Sequence, residues 1–109
     1  MQTFDSTPQP TASPWGKVQQ ATEDAPGIWF VSTASHGGFL ISQQRFNAMP
    51  LALRQFQTFN GNQGAYEEDC DWAVVVVAFA DEFAEKHVSL ARQMIATNDY
   101  FAALAQLEG

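Results

Sequence analysis

The sequence predicts an α+β domain: a small antiparallel β-sheet, built on a hairpin over residues 27–42, covered by helices from the second half of the chain. Three observations carry this. Two short β-branched and aromatic runs flank a glycine-bearing loop. The apolar residues of the second half recur at spacings of three and four. Hydrophobic residues make up 46% and aromatics 13% of 109 residues, enough for one modest core and too much for a disordered chain.

Residues 1–14 hold three of the five prolines, with Ser, Thr and Gln between them, and read as a flexible arm. A single domain then runs over 15–109, opening on Trp15-Gly16. A lone Trp in this place either plugs the edge of the core or anchors a partner. After Pro26, Gly27-Ile28-Trp29-Phe30-Val31-Ser32-Thr33 is strand-like, and Phe39-Leu40-Ile41-Ser42 has the same character. Between them Ala34-Ser35-His36-Gly37-Gly38 has hairpin-loop length and two glycines free to take positive φ. Alternation puts Ile28, Phe30 and Ser32 on one face and Trp29, Val31 and Thr33 on the other.

Ser42 suits the N-cap of a short helix from Gln43 to Met49. Pro50 stops that helix or opens another through Phe59, with Leu53, Phe56 and Phe59 three residues apart. Asn60-Gly61-Asn62-Gln63-Gly64 is a loop of strong turn residues.

Residues 66–85 organise the rest. Acids open this stretch, a solid apolar run follows, and acids close it. Four consecutive valines favour a strand. Against that, Asp71 suits an N-cap, the acids before it suit a helix N-terminus, and Trp72, Val75, Val76, Phe79 and Phe83 recur at helical spacing. The expectation is a helix from about 70 to 85; the alternative is a strand over 72–79 followed by a short helix. Val88–Thr97 places Leu90, Ala91, Met94 and Ile95 on one helical face. Asn98 or Asp99 caps a last helix through Leu107, with Tyr100, Phe101 and Leu104 inward.

Twelve acids face five bases, for a net charge of −7. Nucleic acid and anionic membrane should repel such a chain, while proteins presenting Lys and Arg should attract it. The single cysteine, Cys70, excludes an intrachain disulfide and fits a reducing compartment. No signal peptide is visible at the start, and the longest apolar run, Trp72 to Ala80, is too short to span a bilayer. A cytoplasmic protein of a bacterial host is the expectation.

Catalytic patterns are weak. Ser35-His36 suggests a hydrolase, but adjacent loop residues seldom point at each other and no Gly-x-Ser-x-Gly elbow exists. A Cys70–histidine dyad, through His36 or His87, is disfavoured by the surrounding acids, which oppose the thiolate. Glu67, Glu68, Asp69 and Asp71 lack the Asp-x-Asp-x-Asp-Gly spacing of a calcium loop. No catalytic residue, cofactor or metal is therefore assigned. Seven of the twelve acids fall within 67–85. If Asp69–Glu85 is one helix it spans about 25 Å, with acidic ends at a spacing compatible with mimicry of a nucleic-acid backbone.

Pro14-Trp15-Gly16, Val31-Ser32-Thr33-Ala34-Ser35-His36-Gly37-Gly38, Asn47-Ala48-Met49-Pro50 and Tyr66-Glu67-Glu68-Asp69-Cys70-Asp71-Trp72-Ala73 together resemble an uncharacterised family of small acidic proteins of plasmids, phages and integrated elements. The likeness covers about residues 14–83. In layout the chain is also similar to plasmid antirestriction proteins, through Gly27-Ile28-Trp29-Phe30, Gly37-Gly38-Phe39-Leu40, Trp72–Phe79 and Tyr100–Leu107. Both resemblances imply a mobile-element inhibitor of a host defence system, either a CRISPR effector or a restriction enzyme. Its expected partner surface is Glu67, Glu68, Asp69, Asp71, Asp81, Glu82 and Glu85, with His36 and Trp15. The partner would be a basic, nucleic-acid-handling protein, with no direct nucleic-acid or membrane contact. The alternatives are a small hydrolase or metal-dependent enzyme using His36 with Ser35 or nearby carboxylates, and a structural accessory protein.

Overall fold

The computed structural model describes residues 3–58, 61 and 64–104. Strands and helices among the described residues follow in chain order: β1 (Ala12–Ser13), β2 (Gly16–Lys17), β3 (Gln20–Ala25), β4 (Ile28–Ser32), β5 (Gly37–Ile41), α1 (Gln43–Ala48), α2 (Leu51–Gln55), β6 (Ala65–Glu67), α3 (Trp72–Ala78) and α4 (Glu85–Thr97). β1 and β2 form a short ribbon. The other strands form one antiparallel sheet in the order β3-β4-β5-β6. The fold is α+β, as the sequence predicts, with the helices mostly in the second half.

Side chains directly opposite each other across paired strands share a face. Phe30, Phe39 and Tyr66 form one such row, with Ile28 and Ile41 beside them. This face packs under α3, whose Ala73, Val74, Val75 and Val76 are buried in one core with Ile28, Phe39, Tyr66, Ala91, Ile95 and Phe101. The opposite face carries Trp29, Leu40 and Ala65 in one row and Val31, Gly38 and Glu67 in the next. The N-terminal segment lies against it: Trp29 Nε1–H donates to Thr7 Oγ1 at 3.0 Å.

Residues 3–14, where composition predicts an arm, make several such contacts. Glu23 accepts bonds from Ser6 Oγ, Thr7 N–H and Gly27 N–H, which hold its carboxyl below the usual carboxylate range. Asp5 N–H donates to Gln44 Oε1, and the Phe4 ring meets Phe79 edge-on at 5.7 Å.

Ser42 caps α1 as expected, its Oγ accepting from Arg45 N–H at 3.1 Å. Pro50 separates α1 from α2, which ends at Gln55; Phe59 and most of the 60–64 loop lie outside the described residues. The valines are helical, not extended, but the helix expected over 70–85 is shorter. It runs from Trp72 to Ala78 and breaks at Phe79, whose φ of −124° and ψ of 46° leave the helical region. A 3-10 turn over Ala80–Glu82 and an extended Phe83 then lead into α4. No Gly or Pro marks the break. It places Phe79 on Phe4 and Glu82 on Arg45, contacts with residues far away in the chain.

Asp71 is not a side-chain N-cap. It has helical φ and ψ, makes no capping bond, and accepts instead from Tyr100 Oη at 2.6 Å. On α4 only Ala91 and Ile95 are buried, while Leu90 is 51% exposed, so the apolar face is narrower than its periodicity suggests. Asn98 caps the 3-10 turn Asp99–Phe101. Phe101 and Leu104 point inward, whereas Tyr100 stays partly exposed. Residues 105–109 lie outside the described residues. Among the described residues no helix is long and apolar enough to cross a membrane.

Candidate functional site

The glycines expected to serve the hairpin loop belong to β5 itself, and the turn tightens to residues 33–36. Thr33 closes it: its N–H donates to the His36 carbonyl at 2.9 Å, and its Oγ1 accepts from His36 N–H at 3.1 Å. Beside the turn, the end of β6 is held to the start of β5. Glu68 N–H donates to the Gly37 carbonyl, and Glu68 Oε2 accepts from Gly37 N–H, both at 2.9 Å.

This double tie fixes Glu68 next to His36. One donor atom from each of His36, Glu67 and Glu68 lies within 4.8 Å of the others. Glu67 Oε1 also accepts from Asp69 N–H at 3.0 Å, and burial pushes its carboxyl above the usual range. Glu68 and Asp69 are exposed and Glu67 is half-buried.

The serine and cysteine beside this cluster are not set up as nucleophiles. Ser35 Oγ donates to the Trp15 carbonyl at 3.3 Å rather than to the imidazole. The Cys70 thiol is pushed up first by burial and then by the charges of Asp71, Asp69 and Glu67, which disfavours the thiolate.

A cavity of about 370 Å³ opens between the Phe30–Phe39 row of the sheet and helices α3 and α4. Phe30, Phe39, Trp72 and Phe83 supply aromatic walls, Val76 and His87 complete the lining, and Asp24 and Glu68 contribute carboxylates. Phe39 meets Phe30 at 5.3 Å and Phe83 at 5.8 Å, both edge-on. Asp24 reaches the cavity because alternation from Thr22, the partner of Phe30, puts it on the Phe30 face; it stands at a β-bulge, where the β3–β4 register shifts between Glu23 and Ala25. Burial raises the Asp24 carboxyl above its usual range.

The remaining expected site residues disperse. Asp71 is 1% exposed and bonded to Tyr100, so it belongs to the interior. Glu82 forms a two-point ion pair with Arg45, which draws its carboxyl below the usual range. Asp81 and Glu82 line a different hollow, with Phe4, Val77 and Phe79. Glu85 is exposed in the first turn of α4. The ring of Trp15 rests against β5, its Cη2 lying 2.7 Å from where a Cβ on Gly38 would sit. Its buried Nε1 finds no hydrogen-bond partner among the described residues. The seven acids of 67–85 therefore do not line one rod. Glu67, Glu68 and Asp69 gather at the sheet end with His36, and the others go elsewhere.

Sequence reasoning missed Asp24, Phe30, Trp72, Val76, Phe83 and His87 as lining residues. The one available signal was Glu23-Asp24 standing just before the Pro26-Gly27 turn, two acids in a stretch otherwise patterned as an edge strand.

A family model described as a domain of unknown function, DUF7007, matches residues 8–106. No curated protein and no solved structure matches the chain.

Proposed function

The chain belongs to the DUF7007 family, whose function is unknown, and we propose that it acts without catalysis, by docking on a basic, nucleic-acid-handling defence protein of a bacterial host and inhibiting it. The observation that carries this reading is the carboxylate group at the sheet end. Glu67, Glu68 and Asp69 sit together with no Lys or Arg paired to them among the described residues, on a chain of net charge −7. Glu68 is held rigid by Gly37, so its charge is presented at a set position. Carboxylates of this kind speed encounter and set register with a positive surface more than they set affinity. The resemblance to small acidic proteins of plasmids, phages and integrated elements, and to antirestriction proteins, supports the class of target: a CRISPR effector or a restriction enzyme.

The test is pull-down against purified complexes of both kinds. The Glu67→Lys, Glu68→Lys double variant should lose capture by about tenfold or more, and capture by the unaltered chain should weaken as salt rises from about 0.05 to 0.5 M. Capture indifferent to both changes rejects an acidic docking face.

A second reading, a metal-dependent hydrolase, draws on the three donors of His36, Glu67 and Glu68 within 4.8 Å. Histidine and carboxylate together suit zinc or a harder divalent ion. Bond formation to Glu68 Oε2 and Glu67 Oε1 by backbone N–H groups leaves each glutamate one oxygen for a cation. Titration with Zn²⁺, followed through the His36 ring signals, should shift them at stoichiometric metal under this reading. Signals unmoved at a tenfold excess remove it.

A further inference from the structure

We infer that the cavity between the sheet and helices α3 and α4 is a receptor for one arginine side chain of a protein partner. The inference rests on the basic partner proposed above and deepens it, but the pocket can be assayed without that partner.

The first argument is composition. Four aromatic walls, Phe30, Phe39, Trp72 and Phe83, surround a space where, among the described residues, Asp24 and Glu68 are the anionic groups and no Lys or Arg takes part. Aromatic faces attract cations, and carboxylates fix their position. An aliphatic or aromatic occupant would match the walls but leave the two carboxylates facing an apolar guest. A cation carried on an apolar stem matches both.

The second argument is that the same fold already holds a guanidinium in this chemistry. Arg45 is fully buried, with its guanidinium carbon 3.7 Å from the centroid of Phe4 and 4.7 Å from that of Phe79. Glu82 closes that site with two bonds. Ring, ring and carboxylate are what the cavity repeats, with a second carboxylate added. The size agrees as well, since about 370 Å³ falls at the lower end of ligand pockets.

The third argument separates arginine from lysine. A planar guanidinium stacks on rings and offers paired donors to two carboxylates, and it is less strongly hydrated than an ammonium, so it gives up less on entering an apolar site. Asp24 stands at the bulge, partly desolvated and with its carboxyl raised by that burial, a group that gains from a cation beside it.

The experiment uses the full chain and three blocked tripeptides, Gly-Arg-Gly, Gly-Lys-Gly and Gly-citrulline-Gly, followed by amide and indole NMR signals. The arginine peptide should shift the Trp72 indole N–H and the amides of Asp24 and His87. The citrulline peptide, equal in shape but uncharged, should bind at least about tenfold more weakly, with lysine between them. Asp24→Asn and Phe83→Leu, each checked for native signal dispersion, should separately weaken the arginine peptide by about threefold or more. Citrulline binding as tight as arginine, shifts centred away from these residues, or an Asp24→Asn variant that binds unchanged would each overturn the inference. Arginine-selective binding here alongside failed capture of any defence complex keeps the pocket and rejects the target. Charge-sensitive capture without arginine binding does the reverse.

Discussion

Replacing Glu82 with alanine is expected to destabilise the fold by about 2–4 kcal/mol. The cause is Arg45, not Glu82. Its guanidinium is completely buried, flanked by Phe4 and Phe79, with Nε donating to the Pro26 carbonyl at 2.8 Å and both terminal nitrogens bonded to Glu82. Removing one partner of a buried pair leaves a charge without compensation, at a cost of about 3–5 kcal/mol. The Glu82 side chain is 36% exposed, so solvent already screens part of the interaction and the figure is discounted. Urea unfolding of the variant against the unaltered chain measures the difference, and a loss below about 1 kcal/mol would show that the rings and the Pro26 carbonyl suffice to hold Arg45.

The effect carries a pH signature. Arg45 lowers the Glu82 carboxyl in the folded state relative to the value of 4.5 in an unfolded chain. The ion pair therefore contributes fully above about pH 4.5 and is lost as pH falls through the lower, folded value. The stability gap between the variant and the unaltered chain should accordingly narrow below pH 4.5. Glu23 is shifted the same way but is present in both proteins, so it drops out of the difference.

Replacing Gly38 with alanine is expected to cost about 3 kcal/mol, at the upper end of the range for overpacking. A Cβ there would lie 2.3 Å from the Tyr66 carbonyl oxygen, 2.7 Å from Trp15 Cη2 and 2.9 Å from the Glu67 Cα. Two of these neighbours are backbone of the paired strand and cannot swing aside. Relief requires β6 to move off β5, and β6 is only three residues long. The movement would carry Glu67 and Glu68 away from His36. The variant should thus show both a lower unfolding midpoint and altered His36 ring signals. Full stability with an undisturbed His36 would contradict the close approach.

The role of the two glycines shows where local reading stops. In sequence they sit between two strand-like runs, and a loop is the economical assignment. In the structure they are strand residues whose missing side chains admit the neighbours: a Cβ on Gly37 would fall 2.6 Å from the Val31 carbonyl. That requirement is set by Val31, Tyr66 and Trp15, none of them adjacent in the chain. The strands β3 and β6 were missed for a related reason. β6 is short and acidic, and β3, Gln20–Ala25, is polar at every second position, an edge strand whose exposed side leaves little apolar pattern to read. The hairpin was legible because two β-branched and aromatic runs, Ile28–Ser32 and Phe39–Ile41, stand either side of a short glycine-bearing stretch. Ser42 was legible as a cap because its bond is to a residue three positions on.

The candidate site divides in the same way. Glu67, Glu68 and Asp69 are contiguous, so their grouping follows from the chain. The joining of His36 to them follows from the β5–β6 register. Asp24 enters through the β3–β4 pairing that puts it on the Phe30 face, Asp71 is buried against a partner 29 residues away, and the charge of Glu82 is taken up by one 37 residues away.

By itself the sequence determined the acidity, an apolar content sufficient for one core, and the hairpin with its capped helix, and it favoured a helix over a strand for the valine run, because each depends on composition or on neighbours a few positions apart. Only the tertiary structure decided where that run ends, which carboxylates keep their charge free, and that an aromatic cavity opens beside them. Those outcomes depend on pairings such as Arg45 with Glu82 and Tyr100 with Asp71, which nothing local encodes: an acid destined for a buried partner and an acid left in solvent look alike until the chain has folded.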